Sequence, residues 1–278
     1  MAERAGRERR GGILRLEYSG DAGVIEFPVV LRFQRCLLIP DVHQDIAWVA
    51  RILAREQDCD FVVFMGDYFD TRLKIARAGK AATCDYLLEV RQALQGRVRF
   101  LLGNHDIQYL EAKPACDLHR KARQLFYRCG SAFTHAGAHK VAKHLPKEFW
   151  DDARLFVAVN GFLVSHAGLA AEFWPRTDST DASLAALQRE CAEALVTMQR
   201  GPHRLLDAGG VRGGDAEIGG ITWLDWEAEF TDELPLPQIV GHTGNVAGAR
   251  SNGRSWCIDG HQTCYGLLTP DGLEVRSA

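Results

Sequence analysis

Short apolar runs alternate with stretches of helical periodicity in the first third of the chain. Three of these runs are continuous, rich in branched or aromatic side chains and bounded by polar residues, as buried strands are: Cys36–Pro40, Phe61–Met65 and Val98–Leu102. Apolar residues recur at helical spacing from Ile46 to Leu53, and a mixed helical stretch covers residues 73 to 95. The order strand, helix, strand, helix predicts right-handed crossovers and a mainly parallel sheet.

The second half of the chain predicts another sheet. Two apolar runs, Leu155–Val159 and Phe162–Val164, flank Asn160-Gly161, which is a two-residue hairpin signal. We therefore expect an antiparallel second sheet to begin here. An amphipathic helix is predicted from Leu184 to Met198. Three short strands are predicted towards the end of the chain, at residues 237–240, 255–259 and 263–268.

Other stretches carry weaker patterns. Residues 1–12 are rich in arginine and glycine, which predicts a flexible basic tail, and residues 13–33 predict a hairpin added at a sheet edge. Residues 107–150 contain amphipathic pieces, such as 115–127, and are expected to form a helical region. Residues 201–220 are glycine-rich and predict a mobile loop.

Polar clusters stand at the ends of the predicted strands. Asp41-Val42-His43 follows the first run, Gly66-Asp67 the second and Gly103-Asn104-His105-Asp106 the third, while His166 and His242 end two later runs. Open α/β sheets place their chemistry at the carboxyl ends of strands. Any one of these residues alone is explained as a helix cap or a turn residue. Together, their types and order are those of a metal site.

The residue types suit two divalent ions. Such ions bind carboxylate oxygen and imidazole nitrogen, and two ions about 3.5 to 4 Å apart need a ligand that reaches both. Asp67 can bridge because a carboxylate has two oxygens. Asp41 and His43 are two residues apart on an extended segment, so their side chains point the same way and can hold one ion together.

This ordered set of motifs resembles the calcineurin-like metallophosphoesterases, in the branch of the phosphoprotein phosphatases and the symmetrical diadenosine tetraphosphate hydrolases. The resemblance implies an α/β fold, a four-layer αββα sandwich of two mixed sheets flanked by helices. It implies a first ion held by Asp41, His43 and Asp67, and a second held by Asp67, Asn104, His166 and His242. Mn²⁺ is the expected metal, with Fe, Zn²⁺ or Ni²⁺ as alternatives. A water between the ions would be acidified for attack on phosphorus.

His105 and Asp106 are the predicted acid–base pair. His105 is not expected to be a ligand if its neighbour Asn104 is one, and its imidazole is better placed to protonate the leaving oxygen. Asp106 would fix the tautomer of that imidazole. The protein phosphatases of the family carry glutamate where this chain has Asp106, and they carry glycine where it has Gln44.

The resemblance also implies arginines that bind the phosphate. The phosphatase pattern Gly-Asp-x-Val-Asp-Arg-Gly is matched by residues 66–72, with the arginine displaced by one position to Arg72. Arg212, in the glycine-rich loop, is an equal candidate for this role.

Several other histidines and aromatic residues need an interpretation. His135 lies in a second His-Ala-Gly and is an alternative to His166, which is preferred because an apolar strand precedes it. The remaining histidines are expected to be solvated or structural. Trp223 and Trp226, in a strand-like segment at 221–226, could stack on a nucleobase, but core packing is expected.

Composition narrows the class of protein. The 278 residues are 46% apolar, which is enough for a substantial core, and we expect residues 13–278 to form one domain. The net charge of -3 gives no basic field, so stable nucleic-acid binding is not expected. The eight cysteines contain no Cys-x-x-Cys pair and indicate reduced thiols. Neither a secretory signal nor a membrane-spanning run is present, so residence in the cytoplasm is expected.

The sequence therefore predicts metal-dependent hydrolysis of a phosphate monoester or phosphoanhydride. A phosphoprotein and a dinucleoside polyphosphate are the leading substrates implied by the resemblance. A phosphodiesterase acting on nucleic acid or a cyclic nucleotide is an alternative reaction, and a non-catalytic binding scaffold is an alternative of another class. The intact set of predicted ligands favours an enzyme.

Overall fold

The computed structural model describes residues 30–71, 78–110, 132–198 and 201–278. The predicted tail at 1–12, most of the predicted hairpin at 13–33, the amphipathic piece at 115–127 and Arg72 lie outside the described residues.

Eight of the described strands follow predicted runs, the strand at 30–31 lies in the predicted hairpin, and the strands at 250–252 and 272–277 were not predicted. The described strands are β1 (Val30–Leu31), β2 (Cys36–Ile39), β3 (Phe61–Phe64), β4 (Val98–Phe100), β5 (Phe156–Val159), β6 (Phe162–Ser165), β7 (Gln238–Val240), β8 (Arg250–Asn252), β9 (Ser255–Cys257), β10 (Cys264–Thr269) and β11 (Gly272–Ser277). The described α-helices are α1 (Ile46–Arg55), α2 (Lys80–Leu94), α3 (Asn104–Ile107), α4 (His135–His144), α5 (Lys147–Asp151) and α6 (Thr180–Thr197).

The first sheet has five strands in the order β11-β10-β2-β3-β4. Strands β2, β3 and β4 are parallel, as the strand–helix alternation predicted. Strand β10 returns from the end of the chain and pairs antiparallel with β2, and β11 pairs antiparallel with β10. The carboxyl ends of the three parallel strands therefore meet at one edge.

The second sheet has six strands in the order β1-β5-β6-β7-β9-β8. The predicted hairpin is confirmed, because β5 and β6 are antiparallel and Asn160-Gly161 joins them with φ of 48° and 83°. The rest of this sheet is mixed: β6, β7 and β9 are parallel neighbours, and β1 pairs parallel with β5 at the edge. The carboxyl ends of β6 and β7 thus point the same way.

Three apolar clusters build four layers. Alternate residues of β2 face opposite sides, with Cys36 and Leu38 in a cluster between the two sheets and Leu37 and Ile39 in a cluster under the helices α1 and α2. A third cluster joins the outer face of the second sheet to α6. The fold is therefore the four-layer αββα sandwich of the metallo-dependent phosphatases, as predicted.

Side chains cap three of the helices. The Asp45 carboxylate accepts a hydrogen bond from the amide of Trp48 at 3.0 Å and starts α1 directly after the turn that carries Asp41 and His43. Thr134 and Ser179 cap α4 and α6 in the same way. The cap of α1 fixes where the first functional turn ends.

The segment at 221–226 differs from its prediction. It forms turns rather than a strand, although both tryptophans are buried as expected. Trp226 stacks on Phe230 with ring centroids 4.1 Å apart. The apolar residues of this segment predicted its burial correctly but not its backbone conformation. Burial alone does not distinguish a strand from a packed turn.

In the described part of the chain, no helix has both the length and the apolar character needed to cross a membrane.

Candidate metal centre

The predicted ligands lie together where the ends of the two sheets meet. Asp41, Asp67 and Asn104 follow β2, β3 and β4, while His166 and His242 follow β6 and β7. Asp41, Asp67, Asn104 and His166 are almost completely buried. Two separate sheets therefore deliver one cluster of oxygen and nitrogen atoms.

The first group consists of Asp41, His43 and Asp67, which each offer one ligand atom within 4.8 Å of the others. The Nε2 atom of His43 lies 3.8 Å from Oδ2 of Asp41 and 3.7 Å from Oδ2 of Asp67. This is the set of residues predicted for the first ion.

The second group consists of Asp67, His166 and His242, again with ligand atoms within 4.8 Å of one another. The Nε2 atom of His166 lies 3.5 Å from Oδ1 of Asp67, 3.1 Å from Oδ1 of Asn104 and 3.1 Å from Nδ1 of His242. Asp67 belongs to both groups, with one oxygen facing each. The two oxygens of Asp67 therefore face different groups of candidate ligands.

The orientation of the imidazoles fits a cation. Nδ1 of His166 lies 3.0 Å from the backbone oxygen of Met65, and Nδ1 of His43 lies 2.8 Å from that of Asp70. When those nitrogens donate their hydrogens, Nε2 of each ring presents a lone pair to the cluster. Nε2 of His166 then faces oxygen acceptors that it cannot donate to, and a cation among these atoms would satisfy all of them.

Burial and charge act against each other on the carboxylates. Burial raises the pKa of Asp41, and the nearby Asp67 adds to this effect. Burial also opposes ionisation of Asp67, but the surrounding histidines, with His166 the strongest, bring its pKa below the usual range. Burial lowers the pKa of His242 well below its usual value, which keeps the ring neutral and able to act as a ligand.

The backbone at the cluster is held in a rarely adopted conformation. His43, Asp67 and His242 all have positive φ, at 43°, 52° and 64°. Non-glycine residues adopt this region at a cost of about 1 kcal/mol or more. Such conformations persist where surrounding contacts fix them, and three of the nine positive-φ non-glycine residues in the described part of the chain are predicted ligands.

Gly66 and Gly103 allow two of the functional turns to pack together. A Cβ on Gly66, whose φ is 105°, would lie 2.5 Å from the amide nitrogen of Gly103. A Cβ on Gly103 would lie 2.2 Å from Oδ1 of Asp67. The absence of side chains here lets the amide of His105 donate to Oδ1 of Asp67 at 3.0 Å.

Asp106 does not contact the imidazole of His105 as the sequence analysis expected. Its carboxylate accepts hydrogen bonds from the backbone amides of Asp67, Tyr68 and Gly103, at 2.6, 2.9 and 2.9 Å. The bond from Gly103 is that of an N3 acid capping the start of α3. Asp106 therefore ties the turn after β3 to the turn after β4.

Asp70 is the carboxylate that faces His105. Its Oδ2 lies 3.4 Å from Nδ1 of His105, and its Oδ1 accepts a hydrogen bond from Tyr109 at 2.7 Å. Burial opposes protonation of His105, but the charges of Asp67 and Asp70 outweigh it and raise its pKa to about 8. Asp70 was not among the predicted site residues, although it is the second aspartate of the Gly-Asp-x-Val-Asp pattern at residues 66–72.

Arg212 lies beside the second group. It donates to Oγ1 of Thr243, the residue after His242, at 2.7 Å, and its Nε lies 2.8 Å from Oδ2 of Asp225. The glycine-rich loop that carries it is tied by backbone bonds such as Gly210 to Ala216 at 2.9 Å. Mobility of that loop stays a prediction.

His135 lies away from the cluster. It is the exposed first residue of α4, and its ring faces Phe133 with centroids 5.8 Å apart. His166, in contrast, is in the second group. Trp223 packs edge-on against the ring of His242, with centroids 5.9 Å apart, so this buried residue borders the centre.

A third acidic group, of Glu56, Asp58 and Cys59, has an explanation within the fold. The carboxylate of Glu56 accepts hydrogen bonds from Tyr265 and Arg276, each at 2.7 Å, and from Arg35 at 3.0 Å. Glu56 is therefore a paired buried charge rather than a free ligand.

The chain is similar to a known protein family in sequence and to known proteins in fold. The family described as calcineurin-like phosphoesterase matches residues 35–243. A cold-active protein tyrosine phosphatase is similar in structure, with a TM-score of 0.56 and 15% identity, covering 90% of this chain and 80% of that one. A cold-active protein-tyrosine phosphatase of the psychrophile Shewanella sp. gives a TM-score of 0.55 and 15% identity, covering 90% and 82%. No curated protein matches the sequence.

Proposed function

The chain belongs to the calcineurin-like phosphoesterase family and is a phosphoesterase, a hydrolase, and from this premise we propose that it hydrolyses a phosphate monoester or phosphoanhydride with two bound metal ions. One observation carries the proposal: the carboxylate of Asp67 is shared by the two ligand groups. The first ion is assigned to Asp41, His43 and Asp67, and the second to Asp67, Asn104, His166 and His242. Mn²⁺ is the first candidate, with Fe, Zn²⁺ or Ni²⁺ as alternatives.

When bound, the two ions would supply an acidified water and neutralise the charge of the phosphoryl oxygens. The chain itself holds the ligands in place before any ion arrives. The amide of His242 donates to Oδ1 of Asp41 at 2.9 Å, and the amide of His105 donates to Oδ1 of Asp67 at 3.0 Å. These bonds fix the carboxylate rotamers, so little reorganisation is needed on binding.

His105 is the proposed general acid. Its Nδ1 faces Asp70, which leaves Nε2 as the nitrogen able to donate a proton to the leaving oxygen. The ring lies edge-on to His43, with centroids 5.7 Å apart, and so stands beside the first group of ligands. Asp106 serves this site by holding the backbone of the two turns rather than by contacting the imidazole.

Arg212 is the proposed contact for the phosphoryl group. Its guanidinium is partly exposed and is oriented by Asp225 and Thr243 next to His242. A planar guanidinium can bind two phosphoryl oxygens at once. Arg72 remains a second proposal for the same role.

The proposed substrate is a phosphorylated protein or a nucleotide in the cytoplasm. The structural neighbours named above are protein tyrosine phosphatases, which supports a phosphorylated side chain as the first class to test. A phosphodiesterase or a binding scaffold would give different results in the same experiment.

The test begins with metal-stripped protein to which Mn²⁺ is added. Hydrolysis of p-nitrophenyl phosphate is compared with that of bis(p-nitrophenyl) phosphate for the wild type, Asp67→Asn and His105→Ala, with the exposed Asp151→Asn as a matched control. We expect metal-dependent turnover of the monoester that Asp67→Asn abolishes and Asp151→Asn retains. Preferential turnover of the diester would indicate a phosphodiesterase, and binding of two metals without turnover of either would favour a scaffold.

A further inference from the structure

Lys80 reaches the carboxylate of Asp70 from the first turn of α2. Its Nζ lies 2.5 Å from Oδ1 of Asp70, and only 14% of its side chain is exposed. The ammonium group also lies over the ring of Tyr109, 5.8 Å from the centroid. A lysine buried to this extent on a fully buried carboxylate is a specific contact rather than a solvated surface pair.

The two oxygens of Asp70 have different partners. Oδ1 takes Lys80 and the hydroxyl of Tyr109, while Oδ2 faces Nδ1 of His105 and the amide of Gln108. A carboxylate held on one oxygen by a cation and a hydroxyl cannot rotate freely. Its second oxygen is therefore directed at His105.

Gly137 makes room for this contact. A Cβ at this position in α4 would lie 2.8 Å from Cε and 3.0 Å from Cδ of Lys80. The stem of Lys80 thus passes over α4 where no side chain stands. This explains the glycine of the second His-Ala-Gly motif, which the metal centre does not use.

We propose that Lys80 is a positioning residue for the acid–base step, because it fixes the Asp70 carboxylate in the orientation that holds the His105 ring. Lys80 does not touch the substrate or the metal ligands in this assignment. It acts through Asp70, and Gly137 is required for it to reach Asp70. The expected effect of Lys80 on turnover rests on the proposed function.

The experiment compares two aryl phosphates that differ in their leaving groups. Phenyl phosphate needs a proton on its leaving oxygen more than p-nitrophenyl phosphate does, so a defect in the acid step affects it more. We expect Lys80→Met to lower kcat for phenyl phosphate about tenfold more than for p-nitrophenyl phosphate, with KM unchanged. Lys147→Met removes an exposed lysine paired with Asp151 and should behave as the wild type.

A second variant tests the space over α4. Gly137→Ala leaves Lys80 present but displaces its stem, so it should give the same dependence on the leaving group in a smaller degree. Equal loss on both substrates, or no loss, for Lys80→Met would overturn the proposal. Metal content is measured for each variant, because a loss of metal would lower both rates together.

A measurement that does not depend on turnover tests the role of Lys80 separately from the proposed function. In the metal-free protein, the imidazole Nδ1 proton of His105, identified by its absence in His105→Ala, should be protected from exchange. Lys80→Met should lose that protection, and Lys147→Met should keep it. If the wild type hydrolyses neither ester, the proposed function fails, and this measurement alone decides whether Lys80 positions the ring.

Discussion

Nδ1 of His105 faces Oδ2 of Asp70 at 3.4 Å, across 35 residues of sequence, whereas the carboxylate of its immediate neighbour Asp106 lies on three backbone amides. The two aspartates therefore have different tasks. Asp70 contacts the imidazole, and Asp106 holds the turns that carry it. The predictions for the two residues differ accordingly.

Asp70→Asn should impair turnover without unfolding the site. The amide keeps the shape of the side chain but weakens the interaction with the imidazole and with Lys80, so the acid step should slow by about 10²-fold. Steady-state kinetics with phenyl phosphate, together with metal content, check this. Unchanged kcat at full metal occupancy would contradict the role of Asp70.

Asp106→Ala should destabilise the fold. The substitution leaves three backbone amides of buried turns without their acceptor, and each costs about 1–3 kcal/mol. We expect a loss of about 3 kcal/mol or more in the free energy of unfolding, measured by denaturant titration of the metal-free protein. Asp151→Ala, at an exposed position, is the control and should change stability by less than about 0.5 kcal/mol.

The sequence alone indicated which strand-end residues lie together, but it did not indicate the partner of His105. Each ligand follows an apolar strand, and parallel strands bring their carboxyl ends together, so strand-end clusters such as Asp41 and Asp67 could be assembled from local pattern. The partner could not, because His105 and Asp106 lie on one short helix, where consecutive side chains diverge. Contacts such as that between Asp70 and Lys80 depend on the packing of α2, which periodicity does not specify.

Metal binding should depend on Asp67 more than on His43 or His242. We expect the wild type to bind two Mn²⁺ ions, His43→Ala to lose the first, His242→Ala to lose the second and Asp67→Ala to lose both, because only Asp67 belongs to both described groups. Isothermal titration calorimetry gives the stoichiometry. Mn²⁺ at 100 times its Kd should also stabilise the wild type by about 2.7 kcal/mol for each site that it occupies.

Gly103→Ala should disturb the centre although it adds one methyl group. The new Cβ would lie 2.2 Å from Oδ1 of Asp67, so the carboxylate must move away from its position between the groups. We expect metal affinity to fall by at least about tenfold, measured by the same titration. Gly201→Ala is the matched control, because a Cβ there lies within 4 Å of no described residue other than its chain neighbours.

The free energy of unfolding of the metal-free protein should depend on pH through the titration of His105. Burial opposes the charged ring, but Asp67 and Asp70 raise its pKa to about 8 from an ordinary value of 6.5. A base with a raised folded-state pKa stabilises the fold fully below pH 6.5, and this contribution is lost as pH rises through about 8.

The difference in unfolding free energy between the wild type and His105→Gln should therefore fall by about 2 kcal/mol from pH 6 to pH 9, in chelator. Denaturant titrations at the two pH values measure it. A difference that does not change with pH would show that folding does not raise the pKa of His105.

Strand β10 lies directly beside β2, with Gly266 opposite Leu38, and Gln262 just before it donates to the backbone oxygen of Asp41 at 2.9 Å. The turn that carries Asp41 is thus braced by a segment 221 residues further along the chain. A nascent chain can form β2, α1 and β3 but cannot complete their sheet until residues 264–269 are available. Because such distant pairing slows folding, we expect the carboxylates of the centre to acquire their final geometry late in folding.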